Sequence, residues 1–190
     1  MRHFNILAAA LVLSCLLAGQ AHASFFSKTP VLNEPDTISL GIGWFDFNDH
    51  WPRQREAVDF RLEYRTAFDM LGLINAHNAY IAIRPFVGVE ANSDSWVYGL
   101  WGFLFDVPIG KHFVVTPSLA MGWYDKGGGK YLGATTEFRS TFEAGYKFDD
   151  GSRITASVGH ISNAGQTQYN PGTEIVDVYY HLPISKIFGK

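Results

Sequence analysis

Cysteine is almost missing from this chain of 190 residues: the single one, Cys15, lies in an apolar run near the N-terminus. A disulfide-stapled fold is therefore excluded. Charge is also scarce, at 17% of residues with a formal net charge of -3. There is no basic run and no Cys/His spacing of the zinc-binding kind, so nothing favours nucleic acid or a structural metal. After the N-terminal run, no apolar stretch reaches the roughly 20 residues that a membrane-crossing helix needs. Long sequence repeats are missing too.

The N-terminal run itself reads as a targeting segment. Arg2 and His3 precede an uncharged stretch from Phe4 to Gly19, followed by the small-residue tripeptide Ala21-His22-Ala23. That pattern predicts a secretory signal peptide over residues 1–23, cleaved before Ser24 and taking Cys15 with it. The rival reading makes Val12-Leu13-Ser14-Cys15 a lipidation box, which Leu13 and the apolar residues after Cys15 fit poorly. Residues 24–190 are then one domain. Its first part, Ser24 to Asp36, holds two prolines and reads as an extended lead-in.

What the chain does have is aromatic residues, 15% in all, and recurrent period-two alternation in which one parity is almost wholly apolar. In one segment Val58, Phe60, Leu62, Tyr64, Thr66 and Phe68 alternate with Asp59, Arg61, Glu63 and Arg65. In another, Phe138, Phe142, Ala144, Tyr146 and Phe148 alternate with Glu137, Arg139, Glu143 and Lys147. Together with segments at 37–47, 79–91, 95–107, 112–124, 152–162 and 174–186, these make eight strands. Several reach the roughly 9–11 residues that a tilted strand needs to cross a bilayer. The links at 107–111 and 149–152 are short turns, and the others are longer and more polar. The fold predicted is all-β: an eight-stranded antiparallel transmembrane barrel whose lumen is packed with Asp59, Arg61, Glu63, Arg65, Arg84, Glu90, Glu137, Arg139 and Glu143. A pore is not expected. Trp44, Trp96, Trp101 and Trp123 are the candidate interfacial girdle.

The chemistry-bearing residues lie in the last two strands. Ile154, Ala156 and Val158 form the outward parity of one, which continues to His160 and Ser162. Val176, Val178, Tyr180, Leu182 and Ile184 form that of the other, which steps back to Glu174. A register that pairs the strand tops sets Glu174 beside His160. A histidine between a hydroxyl and a carboxylate can take the serine proton while the carboxylate fixes its tautomer. Each residue alone is ordinary: a polar girdle residue, a strand-ending turn, a loop charge. Together on a lipid-facing parity they are not, because polar side chains there cost free energy that rises with depth.

The stretch His160-Ile161-Ser162-Asn163-Ala164-Gly165 followed by Glu174, with the preceding turn Lys147-Phe148-Asp149-Asp150-Gly151, resembles the PagL-type lipid A 3-O-deacylases, small outer-membrane barrel esterases. The resemblance covers the last third of the chain. It implies Ser162 as nucleophile, His160 as general base and then acid, Glu174 as the orienting carboxylate, and Asn163 with the Gly165 amide as the oxyanion hole. It further implies lipid A or lipopolysaccharide as substrate, outer-membrane lipids as surroundings, no cofactor, and a homodimer left open. Other readings also stay open: hydrolysis of an acyloxyacyl or phospholipid ester, and a structural barrel without activity. Palmitoyl transfer lacks a visible acceptor site. The C-terminal Phe188-Gly189-Lys190 departs from the apolar or aromatic ending expected of an outer-membrane barrel.

Overall fold

The structure is a computed structural model that describes residues 34–47, 56–74 and 80–188. The expected signal peptide, its alternative lipidation box, most of the lead-in and the last two residues lie outside the described residues. Eight antiparallel strands follow one another around a closed barrel: β1 (Thr37–Phe45), β2 (Ala57–Arg65), β3 (Ala82–Asn92), β4 (Val97–Ile109), β5 (Phe113–Asp125), β6 (Thr136–Lys147), β7 (Arg153–Ser162) and β8 (Thr173–Pro183). Closure of β1 on β8 leaves no free edge, so the ladder satisfies the strand amides and carbonyls without water.

Side-chain alternation decides which way each strand faces. In β2, Asp59, Arg61, Glu63 and Arg65 are buried inside while Val58, Phe60, Leu62 and Tyr64 stand exposed. Leu40, Ile42, Trp101, Leu119, Trp123, Ile154 and Val178 continue this apolar outer surface on other strands. Water would penalise so continuous an apolar surface, and hydrocarbon accepts it.

The lumen is filled by pairing. Arg61 reaches Asp59 at 2.8 Å, Glu90 at 2.9 Å and Asp177 at 3.0 Å. Arg139 bridges Glu63 and Glu90, each at 2.6 Å, and Arg65 bridges Glu63 and Glu143, each at 2.8 Å. Nearer the short turns, Arg84 and Arg153 share Asp106 at 2.6 and 3.1 Å. All nine expected lumen residues are buried. Glu137 differs from its neighbours, since it accepts the Ala134 N–H at 3.2 Å. Asp106, Arg153, Asp177, Tyr179 and His181 join the network on the same parity.

At the long-loop end the lumen turns apolar, with Phe45, Trp96, Tyr98, Tyr124, Leu132, Ile161 and Ile175 packed together. Trp96 is therefore a core residue and not part of the girdle. It is fully buried, with Phe45 at 5.0 Å and Tyr124 at 5.3 Å between ring centroids. Trp44, Trp101 and Trp123 do face outward. Several boundaries shift: β1 ends at Phe45 instead of 47, β3 starts at Ala82 instead of 79, and two further changes have a clear cause. β4 runs on to Ile109 where a turn from Val107 was expected, because Gly110, at φ 67°, is the residue able to reverse the chain. β8 stops at Pro183, which has no N–H for the ladder, and the Ile184 N–H that follows donates to the Asp36 carbonyl at 2.9 Å. The short helix α1 (Ile184–Phe188) occupies the end of the expected last strand.

Candidate active site

The outward face of the barrel is apolar along most of every strand, and polar side chains enter it where β5, with Asp125, and β6, β7 and β8 approach the long loops. There β7 turns His160 and Ser162 outward, in step with Ile154, Ala156 and Val158, and β8 turns Glu174 outward in step with Val176 and Val178. The β7–β8 register pairs His160 directly with Glu174. Their side chains meet, His160 Nδ1 lying 3.2 Å from Glu174 Oε1, each about one-third exposed. With a carboxylate accepting from Nδ1–H, the neutral ring leaves Nε2 as its basic nitrogen. Ser162 is two residues farther along the same face, opposite Phe138 of β6. Ser140, also outward, stands opposite His160 on the side away from Glu174. A hydroxyl, an imidazole and a carboxylate thus share one patch of an otherwise apolar wall. Among the described residues no group of three or more His, Cys, Asp or Glu converges as a metal would require.

Asn163 and Gly165 occupy the turn that leaves β7, in a different state from open donors. Asn163 is fully buried. Its Nδ2 donates to the Leu132 carbonyl at 3.1 Å, Thr167 Oγ1 at 2.9 Å and the Tyr169 carbonyl at 2.9 Å. Its Oδ1 accepts the Gly165 N–H at 2.9 Å. Asn163 thus pins the β7–β8 loop to the β5–β6 loop, and the two candidates are hydrogen-bonded to each other. Ala164 at φ 54° and Gly165 at φ 81° form the tight left-handed corner that this bond closes.

Three further residues position the patch. Gly172, at φ 66°, sits against the imidazole; a Cβ there would fall 2.6 Å from His160 Cε1. Asp46, fully buried at the end of β1, donates its N–H to the Glu174 carbonyl at 2.8 Å. Its carboxylate accepts from Lys130 Nζ at 2.6 Å and from Thr173 Oγ1 at 3.0 Å. Lys130 belongs to the β5–β6 loop, so Asp46 ties that loop to the backbone carrying Glu174. Asn170 accepts the Asn163 N–H at 3.0 Å. A dipeptide such as Pro171-Gly172 marks a turn in any sequence, but the contact of Gly172 with His160 depends on pairing between strands.

Asp46→Ala keeps that N–H but removes the carboxylate that holds Lys130 and Thr173, and is expected to lower turnover at this patch roughly tenfold, with no further loss when Glu174 is already Ala. A double-mutant cycle on kcat checks this. Additive losses would mean that Asp46 supports the fold alone.

Comparison with known proteins agrees with the strand pairing. The family model described as "Lipid A 3-O-deacylase (PagL)" matches residues 86–183, more than half of the chain. The lipid A deacylase PagL of Pseudomonas aeruginosa is 37% identical over 57 residues, which are 30% of this chain and 33% of that protein. The chain therefore spans about a third of the length of this curated relative in the matched region. A crystal structure of the outer membrane enzyme PagL superposes with a TM-score of 0.63 at 16% identity, covering 77% of this chain and 99% of the other. At that identity the superposition speaks for the fold.

Proposed function

Because this chain belongs to the lipid A 3-O-deacylase (PagL) family, we propose that it is an outer-membrane esterase that removes the 3-O-linked acyl chain of lipid A, with Ser162, His160 and Glu174 as its triad. The observation that carries this reading is the His160–Glu174 contact at 3.2 Å on the lipid-facing wall, beside a serine of the same parity. A soluble substrate would favour a site in the lumen or on the loops. An acyl chain already lying in the bilayer reaches this patch from the side.

In the proposed reaction Glu174 accepts a hydrogen bond from His160 Nδ1–H, fixing the tautomer, and stabilises the imidazolium that forms. Ser162 Oγ attacks the ester carbonyl carbon as its proton passes to His160 Nε2. The tetrahedral adduct collapses, breaking the bond to the sugar oxygen, which takes that proton from His160. Water then attacks the acyl-serine, His160 accepting its proton and returning it to Ser162 Oγ as the fatty acid leaves. One water is consumed per ester, so the balance requires no oxidant or cofactor.

The oxyanion would be held by the turn after Ser162. Gly165 N–H, now 2.9 Å from Asn163 Oδ1, would exchange that acceptor for the more strongly charged oxyanion, and Asn163 would contribute by shaping the turn.

Mass spectrometry of lipid A from cells with and without the protein tests the assignment. The expected result is loss of one directly ester-linked hydroxyacyl chain, with acyloxyacyl chains elsewhere intact. Unchanged lipid A in both cells and detergent micelles, or loss of a secondary acyl chain, would overturn it.

A further inference from the structure

Two tyrosines from different loops form a stacked, exposed aromatic pair at the loop end that carries the site. Tyr131, on the β5–β6 loop, and Tyr169, on the β7–β8 loop, stack with centroids 5.8 Å apart and planes at 10°. They remain 51% and 58% exposed. Girdle tyrosines stand on strands, as Tyr64 and Tyr180 do here; this pair stands beyond the strand ends, where the loops meet water.

The pair is also held in place. Tyr131 Oη donates to the Gly133 carbonyl at 2.9 Å, fixing its ring over its own loop. The Tyr169 carbonyl accepts from Asn163 Nδ2 at 2.9 Å and from Thr167 Oγ1 at 2.8 Å. Gly133, at φ 105°, lies where a Cβ would fall 1.8 Å from the Tyr169 carbonyl oxygen and 2.6 Å from Asn163 Nδ2. The two loops therefore touch backbone to backbone, and the aromatic surface is indexed to the residue that follows Ser162.

A tyrosine ring offers an apolar face with a polar rim. A pyranose is its complement, with a face of C–H bonds to lay against the ring and hydroxyls around its edge to keep in water. In a glycolipid whose ester is cut at Ser162, the ester-bearing sugar must sit at the rim of the barrel, above the chains and beside the nucleophile. Tyr131 and Tyr169 are the exposed aromatic pair in that position. The geometry points to this pair as a sugar platform that receives a hexosamine ring of the glycolipid headgroup and so sets which ester reaches Ser162. This rests on the proposed lipid A deacylation.

Binding separates the two ideas. The inert Ser162→Ala protein, in detergent micelles, is titrated with lipid A and, separately, with a phosphatidylethanolamine of matched chain length. Tyr169→Ala or Tyr131→Ala in that background should weaken lipid A binding about tenfold, and Tyr169→Phe, which keeps the ring face, should restore it. Phosphatidylethanolamine binding should stay unchanged. Undiminished lipid A binding, an equal loss for the phospholipid, or a Phe variant as weak as Ala would each overturn the platform. Tyrosine-dependent binding of lipid A without turnover by the wild-type protein would instead condemn the deacylase reading alone.

Discussion

Ser162→Ala is expected to lower release of the lipid A acyl chain by about four orders of magnitude or more, leaving a barrel that still folds and inserts. The scale is that seen when the nucleophile of a serine triad is removed. His160→Ala should be nearly as damaging, because a serine hydroxyl without a base is a weak nucleophile at neutral pH. Glu174→Ala should be roughly tenfold to a hundredfold milder, since base and nucleophile remain and only the 3.2 Å contact that orients the ring is lost. The measurement is fatty-acid release in mixed micelles, with heat-modifiable gel migration as the check on folding. Wild-type rates for Ser162→Ala would reject the nucleophile, and HISNAG would revert to a turn-forming strand end.

The largest effect on stability is expected inside the barrel. Arg139→Ala takes from buried Glu63 and Glu90 the guanidinium that lies 2.6 Å from each, leaving two carboxylates around a void with one arginine apiece, Arg65 and Arg61. Removing one partner of a buried ion pair costs about 3–5 kcal/mol, mostly the penalty for the charge left behind. Phe142→Leu on the lipid face exchanges one apolar side chain for another and should cost less than about 1.5 kcal/mol. Denaturant unfolding of the two variants in the same detergent compares them directly. Equal midpoints would contradict the assigned lumen.

Most of this architecture was legible in the chain because a membrane barrel writes its two faces separately. With lipid on one side and packed charge on the other, each β2 residue declares its direction, from Val58 through Arg65. The same alternation carried over to His160, Ser162 and Glu174, so the patch on the lipid-facing wall followed from parity before any strand was placed. Parity says nothing about height within the lumen. Trp96 was therefore mistaken for a girdle residue, though it lies in the apolar cap that closes the loop end of the lumen. Loops are harder still. The hold of Asp46 on the Glu174 backbone joins positions 128 residues apart, and no local pattern announces such a bond. Asn163 shows the opposite limit: its motif was plain, but its bond to the Leu132 carbonyl in the β5–β6 loop depends on a neighbour that only the closed barrel supplies.

The outward placement of His160, Ser162 and Glu174 also changes what concentration means for this site. A molecule that reaches the patch through the bilayer does so by diffusing in a plane, so occupancy follows its mole fraction among the surrounding lipids and not its amount per litre. Diluting a proteoliposome suspension with buffer leaves that mole fraction, and the rate per protein, untouched. Diluting the same membrane with inert lipid lowers both. Saturation for such a site is therefore a property of membrane composition, set by the company the barrel keeps in its own leaflet.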